Sequence, residues 1–386
     1  IMKDVAIVSS VRSPVGRAPR GNLRDTRPDT LGAIVVREAL ARSKVPPEMI
    51  EDVIMGCAMP EAEQGMNVAR IIALMAGMPN TTSAATVNRF CSSGLHAIAD
   101  IAKSIWSGQI NIGIGGGVES MSMVPMGGHR PSANPDLMHS MPEAYVPMGL
   151  TAENVAKKFG ITREMQDAFA LRSHQRIINA IEKGWFKDEI VPIKTTVFDE
   201  RGPRQVEVSI DEGPRADTSL EALAKLPPVF DKEGTVTAGN SSQTSDGAAA
   251  CVLMSADQAK QMGAPVLGYF RAFVTAGVPP ELMGIGPVPA IRKLLQHTGL
   301  KVGDISVFEI NEAFAAQAVY VVRELGLDES KVNPCGGAIA IGHPLGCTGA
   351  RQVATILREL KRVNGKYGVV SMCIGGGMGA AGLIEI

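Results

Sequence analysis

The sequence predicts an α/β protein made of two similar halves with a long inserted loop region between them. Three observations carry that reading. Short apolar strands alternate with amphipathic helices at both ends of the chain, the order of those elements repeats, and residues 119 to 245 lose the rhythm. Alternation of this kind implies mostly parallel sheets covered by helices. At 386 residues the chain also exceeds the usual size of one hydrophobic core.

Taking the elements in order, Ile1 ahead of Met2 reads as a remnant outside the fold, and no charged-then-apolar leader precedes Lys3 to Val8. A helical pattern over Leu31 to Ala41 passes through a turn at Pro46-Pro47 to a short buried strand, Asp52 to Gly56. Next comes Asn88-Arg-Phe-Cys-Ser-Ser-Gly94. Behind it Leu95, Ile98, Ile101, Ala102 and Ile105 keep the three-and-four spacing of an amphipathic helix that ends near Gly108. A strand from Ile110 to Gly115 then runs into Gly115-Gly-Gly117.

The second half repeats this order. A helical stretch, Ala290 to Gln296, leads through Gly299 to a strand at Asp304 to Phe308. Cys347-Thr-Gly349 precedes a helix and a strand from Tyr367 to Met372, which runs into Gly375-Gly-Gly377. The implied units are a first core half, 1–118 with 246–266, a loop domain, 119–245, and a second core half, 267–386. Within the insertion, helical patterns at Thr151 to Phe159 and Thr162 to Lys183, the latter opened by a capping threonine, argue for order. Met121, Met123, Met126, Met138, Met141 and Met148 in this region could wall a flexible acyl ligand, because methionine adapts to irregular apolar shapes.

Composition removes several classes of function. The formal charge is −1, and the early arginines (Arg12, Arg17, Arg20, Arg24, Arg27) are interrupted by Asp25 and Asp29 with no aromatics interleaved, so nucleic acid is not an expected partner. Six cysteines without a C-x-x-C pair point to free thiols in a reducing compartment. No apolar run reaches the ~18 residues of a membrane span, and a cytoplasmic protein is expected. Gly377-Met-Gly-Ala-Ala-Gly382 spells a dinucleotide motif, but only Leu383 to Ile386 follow, too few for the helix that would hold a pyrophosphate. His343 and Cys347 stand at helical spacing without the partners a zinc site needs, so no metal is expected.

What remains is Cys91, His343 and Cys373, each set among glycines. A lone cysteine is most often a packing residue. A thiol at a helix N-terminus, however, faces unpaired N–H groups, which should lower its pKa below about 8.5. Glycines let backbone N–H groups approach a substrate oxygen, and a thiolate, a base and such donors are the parts of acyl transfer. A second thiol makes sense where a proton moves to or from carbon.

Cys91-Ser-Ser-Gly-Leu95, Gly234-Thr-Val-Thr-Ala-Gly-Asn-Ser-Ser242, Asn311-Glu-Ala-Phe314, Gly342-His-Pro-Leu-Gly-Cys-Thr-Gly349 and Cys373-Ile-Gly-Gly-Gly377 resemble, in order, motifs of the thiolase family. The likeness covers nearly the whole chain. It implies a duplicated fold, two α/β halves packed in a five-layer α-β-α-β-α core. Ser92 after the nucleophile and Pro147 before Met148-Gly149 resemble the 3-ketoacyl-CoA branch of fatty-acid β-oxidation more than the acetoacetyl-CoA branch, which remains the alternative. A non-catalytic acyl-CoA binding protein is a more remote one.

The resemblance implies Cys91 as nucleophile, His343 as its base and Cys373 as the acid/base that protonates the departing enolate. It implies one oxyanion site from His343 and a water on Asn311, and another from the N–H groups of Cys91 and Gly375. Ser242 corresponds to the pantetheine contact, Arg215 to the nucleotide-end contact, and Met148, Met283 and Phe314 to an apolar tunnel. Coenzyme A and acyl-CoA enter as substrates, with no permanently bound cofactor. A homodimer or homotetramer, and a β-oxidation hydratase/dehydrogenase subunit as partner, are further expectations. Cys57, Cys251, Cys335 and Cys347 match no catalytic position and read as packing residues.

Overall fold

The computed structural model describes residues 4–386; the reading of Ile1 lies outside them. The first part of the chain forms β1 (Val5–Arg12), β2 (Gly16–Arg17), α1 (Pro28–Ser43), β3 (Asp52–Gly56), α2 (Val68–Met75), β4 (Ser83–Val87), α3 (Ser93–Trp106) and β5 (Ile112–Ser120). The insertion contributes α4 (Pro135–Ser140), α5 (Met148–Phe159), α6 (Arg163–Glu182), β6 (Ile193–Asp199), β7 (Gly202–Val208) and α7 (Leu220–Ala224). The remainder forms β8 (Ser245–Ser255), α8 (Ala256–Met262), β9 (Gly268–Gly277), α9 (Pro287–Thr298), β10 (Ile305–Ile310), α10 (Ala315–Leu325), α11 (Ala338–Ile341), α12 (Leu345–Arg362), β11 (Tyr367–Ile374) and β12 (Met378–Glu385).

Hydrophobic burial orders these elements into layers. Leu31, Val35 and Val36 of α1 and Ile72 of α2 pack on the outer face of β1, β3, β5 and β8. Leu95, Ile98 and Ile101 of α3 and Val353, Ile356 and Leu360 of α12 fill the space between that sheet region and β11 and β12. Ile291 and Leu294 of α9 and Val321 of α10 cover the far side. The result is the helix-sheet-helix-sheet-helix stack. Each fully buried Leu or Ile contributes about 1.5–3 kcal/mol, so the central helix pair is a major source of cohesion.

The strands do not pair mostly in parallel, as alternation predicted. Only β3 with β4, β3 with β5, and β10 with β11 run parallel. The other pairings are antiparallel, because the glycine turn between β11 and β12 makes a hairpin and β8 returns from the insertion against β5. Nor are the two sheet regions separate. Ala6 pairs with Tyr269 and Ile7 with Gly268, so β1 and β9 join the two regions into one ten-stranded sheet, while β6 and β7 form a separate two-stranded one.

Two glycine runs that look alike in sequence behave differently. Gly115, Gly116 and Gly117 lie inside β5, where an added Cβ would meet Ile98 Cα at 2.6 Å, Ala249 O at 2.3 Å and Gly346 O at 1.8 Å. Gly376 and Gly377 lie in the β11–β12 turn with φ of 81° and 82°, which L side chains avoid. The Cys347-Thr-Gly349 triplet likewise sits inside α12, which starts at Leu345, rather than ahead of it. Its glycines serve a helix crossing: a Cβ on Gly94 would lie 2.7 Å from Gly346 O, and one on Gly349 2.5 Å from Leu95 N.

Candidate active site

That crossing brings together the starts of α3 and α12, and with them two of the three singled-out residues. Cys91 sits in a short 3-10 turn, Phe90–Ser92, directly before α3. The turn is strained, because Phe90 takes a φ of 42°, rare for an aromatic residue. Side chains over-determine it: Phe90 N–H donates to Asn88 Oδ1 (2.8 Å), Arg89 N–H to Ser93 Oγ (2.8 Å), and Ser93 Oγ–H to Phe90 O (2.7 Å). Strain held by surrounding bonds is a frequent mark of a functional turn.

Cys91 and Cys373 are both fully buried, and negative charge on Cys91 opposes ionisation of Cys373. The backbone N–H groups of Gly375 and of Cys91 itself approach the Cys91 sulfur and act to favour its thiolate. Gly375 leaves room for this approach, with Phe90 and the Met148 sulfur nearest to where a Cβ would lie, at 3.5 and 3.9 Å.

The expectation of a low Cys91 pKa is overturned. Burial pushes the thiol up to about 11, against the lowering effect of the two N–H groups, and the charge of Glu119 adds to the rise. Desolvation of a thiolate outweighs a helix terminus when water is excluded. Cys373 is raised too, first by burial and then by Cys91.

His343 lies two residues before α12 and its imidazole is buried. Asn311 Nδ2 donates to His343 Nε2 at 3.2 Å, and His343 Nδ1 is 2.5 Å from Thr348 Oγ1, which in turn donates to Pro344 O. These partners assign the proton to Nδ1 and the lone pair to Nε2. Burial, reinforced by Arg351, drives the imidazole pKa down to about 3, so at neutral pH it is uncharged. Asn311 ties this group to the second thiol: its N–H donates to Ser371 O at 2.9 Å, two residues before Cys373 on β11.

The remaining predicted residues surround this centre. Met148, Met283, Phe314 and Cys373 share one apolar cluster with Ala152 and Val236, and Phe230 meets Phe314 edge-on at 6.1 Å. Ser242 donates its N–H to Ala313 O, beside Phe314. Arg215 lines a cavity of about 330 Å³ with Arg17, His174, Asp217, Gly239 and Gln243, the last adjacent to Ser242. Of the six methionines proposed as an acyl wall only Met148 reaches Gly375; Met126, Met138 and Met141 are exposed, and Met121 accepts from Ser245 N–H at 3.4 Å. Sequence reasoning missed Phe90, Thr348 and Glu119. A charged residue directly after the apolar, glycine-rich run Ile112 to Val118 was the available signal for Glu119.

All six cysteines are free and buried. Among the described residues no group of three or more His, Cys, Asp or Glu side chains could hold a metal, and no helix is long and apolar enough to cross a membrane.

Residues 5–257 match the thiolase N-terminal domain and residues 264–386 the thiolase C-terminal domain. The chain therefore belongs to the thiolase family, a family of acyltransferases, as the five motifs implied. It is 55% identical to the 3-ketoacyl-CoA thiolase of Bacillus subtilis (strain 168), with all of both chains covered. The dimeric peroxisomal thiolase of Saccharomyces cerevisiae superposes with a TM-score of 0.92 at 46% identity, covering 99% of this chain and 97% of that one. The acetyl-CoA acetyltransferase of Bacillus anthracis gives 0.91 at 43%, covering 100% and 99%.

Proposed function

We propose that this protein cleaves 3-ketoacyl-CoA with coenzyme A, releasing acetyl-CoA and an acyl-CoA two carbons shorter, as a step of fatty-acid β-oxidation. The observation that carries this reading is the close crossing of α3 and α12, Gly94 against Gly346, which sets buried Cys91 and His343 at adjacent helix starts, with Asn311 linking His343 to β11 two residues from buried Cys373. The 55% identity to the B. subtilis 3-ketoacyl-CoA thiolase over the full length of both chains supports it.

Cys91 Sγ attacks the 3-keto carbon as its proton passes to the lone pair of His343 Nε2. The resting thiol is neutral, so deprotonation accompanies attack. Oxygen charge develops near the donors best placed to hold it, the N–H groups of Cys91 and Gly375 and, at the second oxygen, His343 with a water on Asn311. When the C2–C3 bond breaks, Cys373 gives its proton to the acetyl-CoA carbanion. Cys91 is left as a thioester; the incoming CoA thiol loses its proton to Cys373 and attacks the thioester carbonyl, and the expelled Cys91 sulfur takes its proton back from His343, so that the sequence is ping-pong.

Residues 119–245 act as the loop domain that, with the core halves 1–118 plus 246–266 and 267–386, lines the ligand path. Met148, Met283 and Phe314 wall the pantetheine and acyl end, Ser242 contacts pantetheine, and Arg215 holds the nucleotide end. The protein works in the cytoplasm as a homo-oligomer, beside a hydratase/dehydrogenase that supplies its ketoacyl substrate.

Similarity to the B. anthracis acetyl-CoA acetyltransferase favours a second reading, condensation of two acetyl-CoA. Comparing thiolysis of four-carbon and eight-carbon ketoacyl-CoA separates them: preference for the longer chain supports the degradative reading. In either case Cys91→Ser should leave no acyl-enzyme in intact-mass spectra and no turnover, and full turnover by that variant would refute the mechanism.

A further inference from the structure

We infer that Glu119 is a positioning residue for this site: one buried carboxylate sets the nucleophile turn and the histidine-bearing helix relative to each other. The inference rests on the proposed thiolase chemistry for its functional meaning, but its geometry stands independently. Glu119 is the last residue but one of the buried strand β5 and is itself 0% exposed.

Its two oxygens serve two separate segments. Oε2 accepts from Ala58 N–H at 2.8 Å and from Gly346 N–H at 2.9 Å. Oε1 accepts from Met59 N–H at 3.2 Å and Gln64 Nε2 at 2.8 Å. Gln64 is held in turn, donating to Met59 O and accepting from Ser120 N–H at 2.5 Å.

From these contacts a continuous chain of bonds reaches both reacting groups. Asn88 Nδ2 donates to Ala58 O at 3.1 Å, and Asn88 Oδ1 accepts from Phe90 N–H, the strained residue immediately before Cys91. On the other side, Gly346 lies in the first turn of α12, three residues after His343. A Cβ at Gly346 would stand 2.8 Å from Glu119 Oε2, so the glycine is what lets the carboxylate reach the helix amide. A carboxylate suits this place because it is an acceptor only, with about four lone-pair sites for the four N–H groups that converge on it. An amide would turn an NH₂ toward other donors.

The test measures Glu119→Gln and Asn88→Ala against the wild type. Asn88 is exposed, so its variant carries the test if Glu119→Gln fails to fold. Positioning predicts a kcat loss of roughly 10–100-fold in Glu119→Gln, a smaller one in Asn88→Ala, and KM for ketoacyl-CoA and CoA within about twofold. Alkylation of Cys91 by iodoacetamide in the free enzyme, followed by peptide mass spectrometry, should quicken at least severalfold in both as the turn loosens. Unchanged kcat and unchanged alkylation in folded Glu119→Gln would overturn the inference. Because alkylation needs no substrate, the two readings fail separately: an inactive wild type refutes the thiolase assignment, unaltered alkylation the positioning role.

Discussion

Cys91 shows how little a residue's neighbours in sequence say about its ionisation. Its place before α3 argues for a low pKa, and the N–H groups of Cys91 and Gly375 do pull that way, yet burial leaves the thiol at about 11. Both groups therefore rest uncharged at neutral pH, Cys91 as thiol and His343 as neutral imidazole. Alkylation of Cys91 in the free enzyme should therefore keep rising about tenfold per pH unit from 7 to 10, following the thiolate fraction. A plateau reached below pH 8 would contradict this. Cys91, His343 and Cys373 stood out in the sequence because each carries its own glycine-rich motif. Their protonation states did not, since desolvation depends on chain segments hundreds of residues away.

At the scale of elements, β3 was legible to the residue and α1, α3 and β11 to within about three residues from apolar spacing, whereas β4, β8, β9 and β12 were not read as strands at all. The glycine runs were not legible, because two identical triplets solve different problems. Gly115 and Gly117 are bare so that α3 and α12 can press against β5, and Gly116 so that β5 can lie close to β8, whereas Gly376 and Gly377 supply a turn. A methyl group at Gly117 would collide with the backbone of Gly346, which no rotamer change relieves. Gly117→Ala should cost at least about 3 kcal/mol in denaturant unfolding, or prevent folding. Gly303→Ala, where nothing lies within 4 Å, should stay within about 0.5 kcal/mol. Equal stability of the two variants would remove the close-packing argument.

The whole molecule depends on a pairing that alternation alone does not reveal. The two-residue contact between β1 and β9 fuses two sheet regions into one, and the β11–β12 hairpin makes the sheet mixed rather than parallel. Duplication was legible as repeated order; which strands meet was not, because neither the insertion's return path nor the hairpin's direction is written in strand spacing. Burial of thiols throughout this stack has a bulk effect. Cys91, Cys251 and Cys347 hold their protons to about 11, 12 and 12 when folded, against an ordinary value of 9.0. Above pH 9 the unfolded chain therefore binds fewer protons than the folded one. Stability falls as pH rises through this window, by about 1.4 kcal/mol per unit for each such thiol. Thermal unfolding should move to lower temperature between pH 8 and pH 10; a constant midpoint would contradict the burial account.

The claim that joins these scales is that two sulfurs and an imidazole from distant segments act in one dry pocket. Deuterium exchange into the methyl group of acetyl-CoA, followed by NMR for the wild type and Cys373→Ala, tests it most directly. The account predicts exchange in the wild type and none in the variant, while Cys91 of the variant is still acylated by an activated thioester. Exchange in Cys373→Ala at the wild-type rate would contradict it.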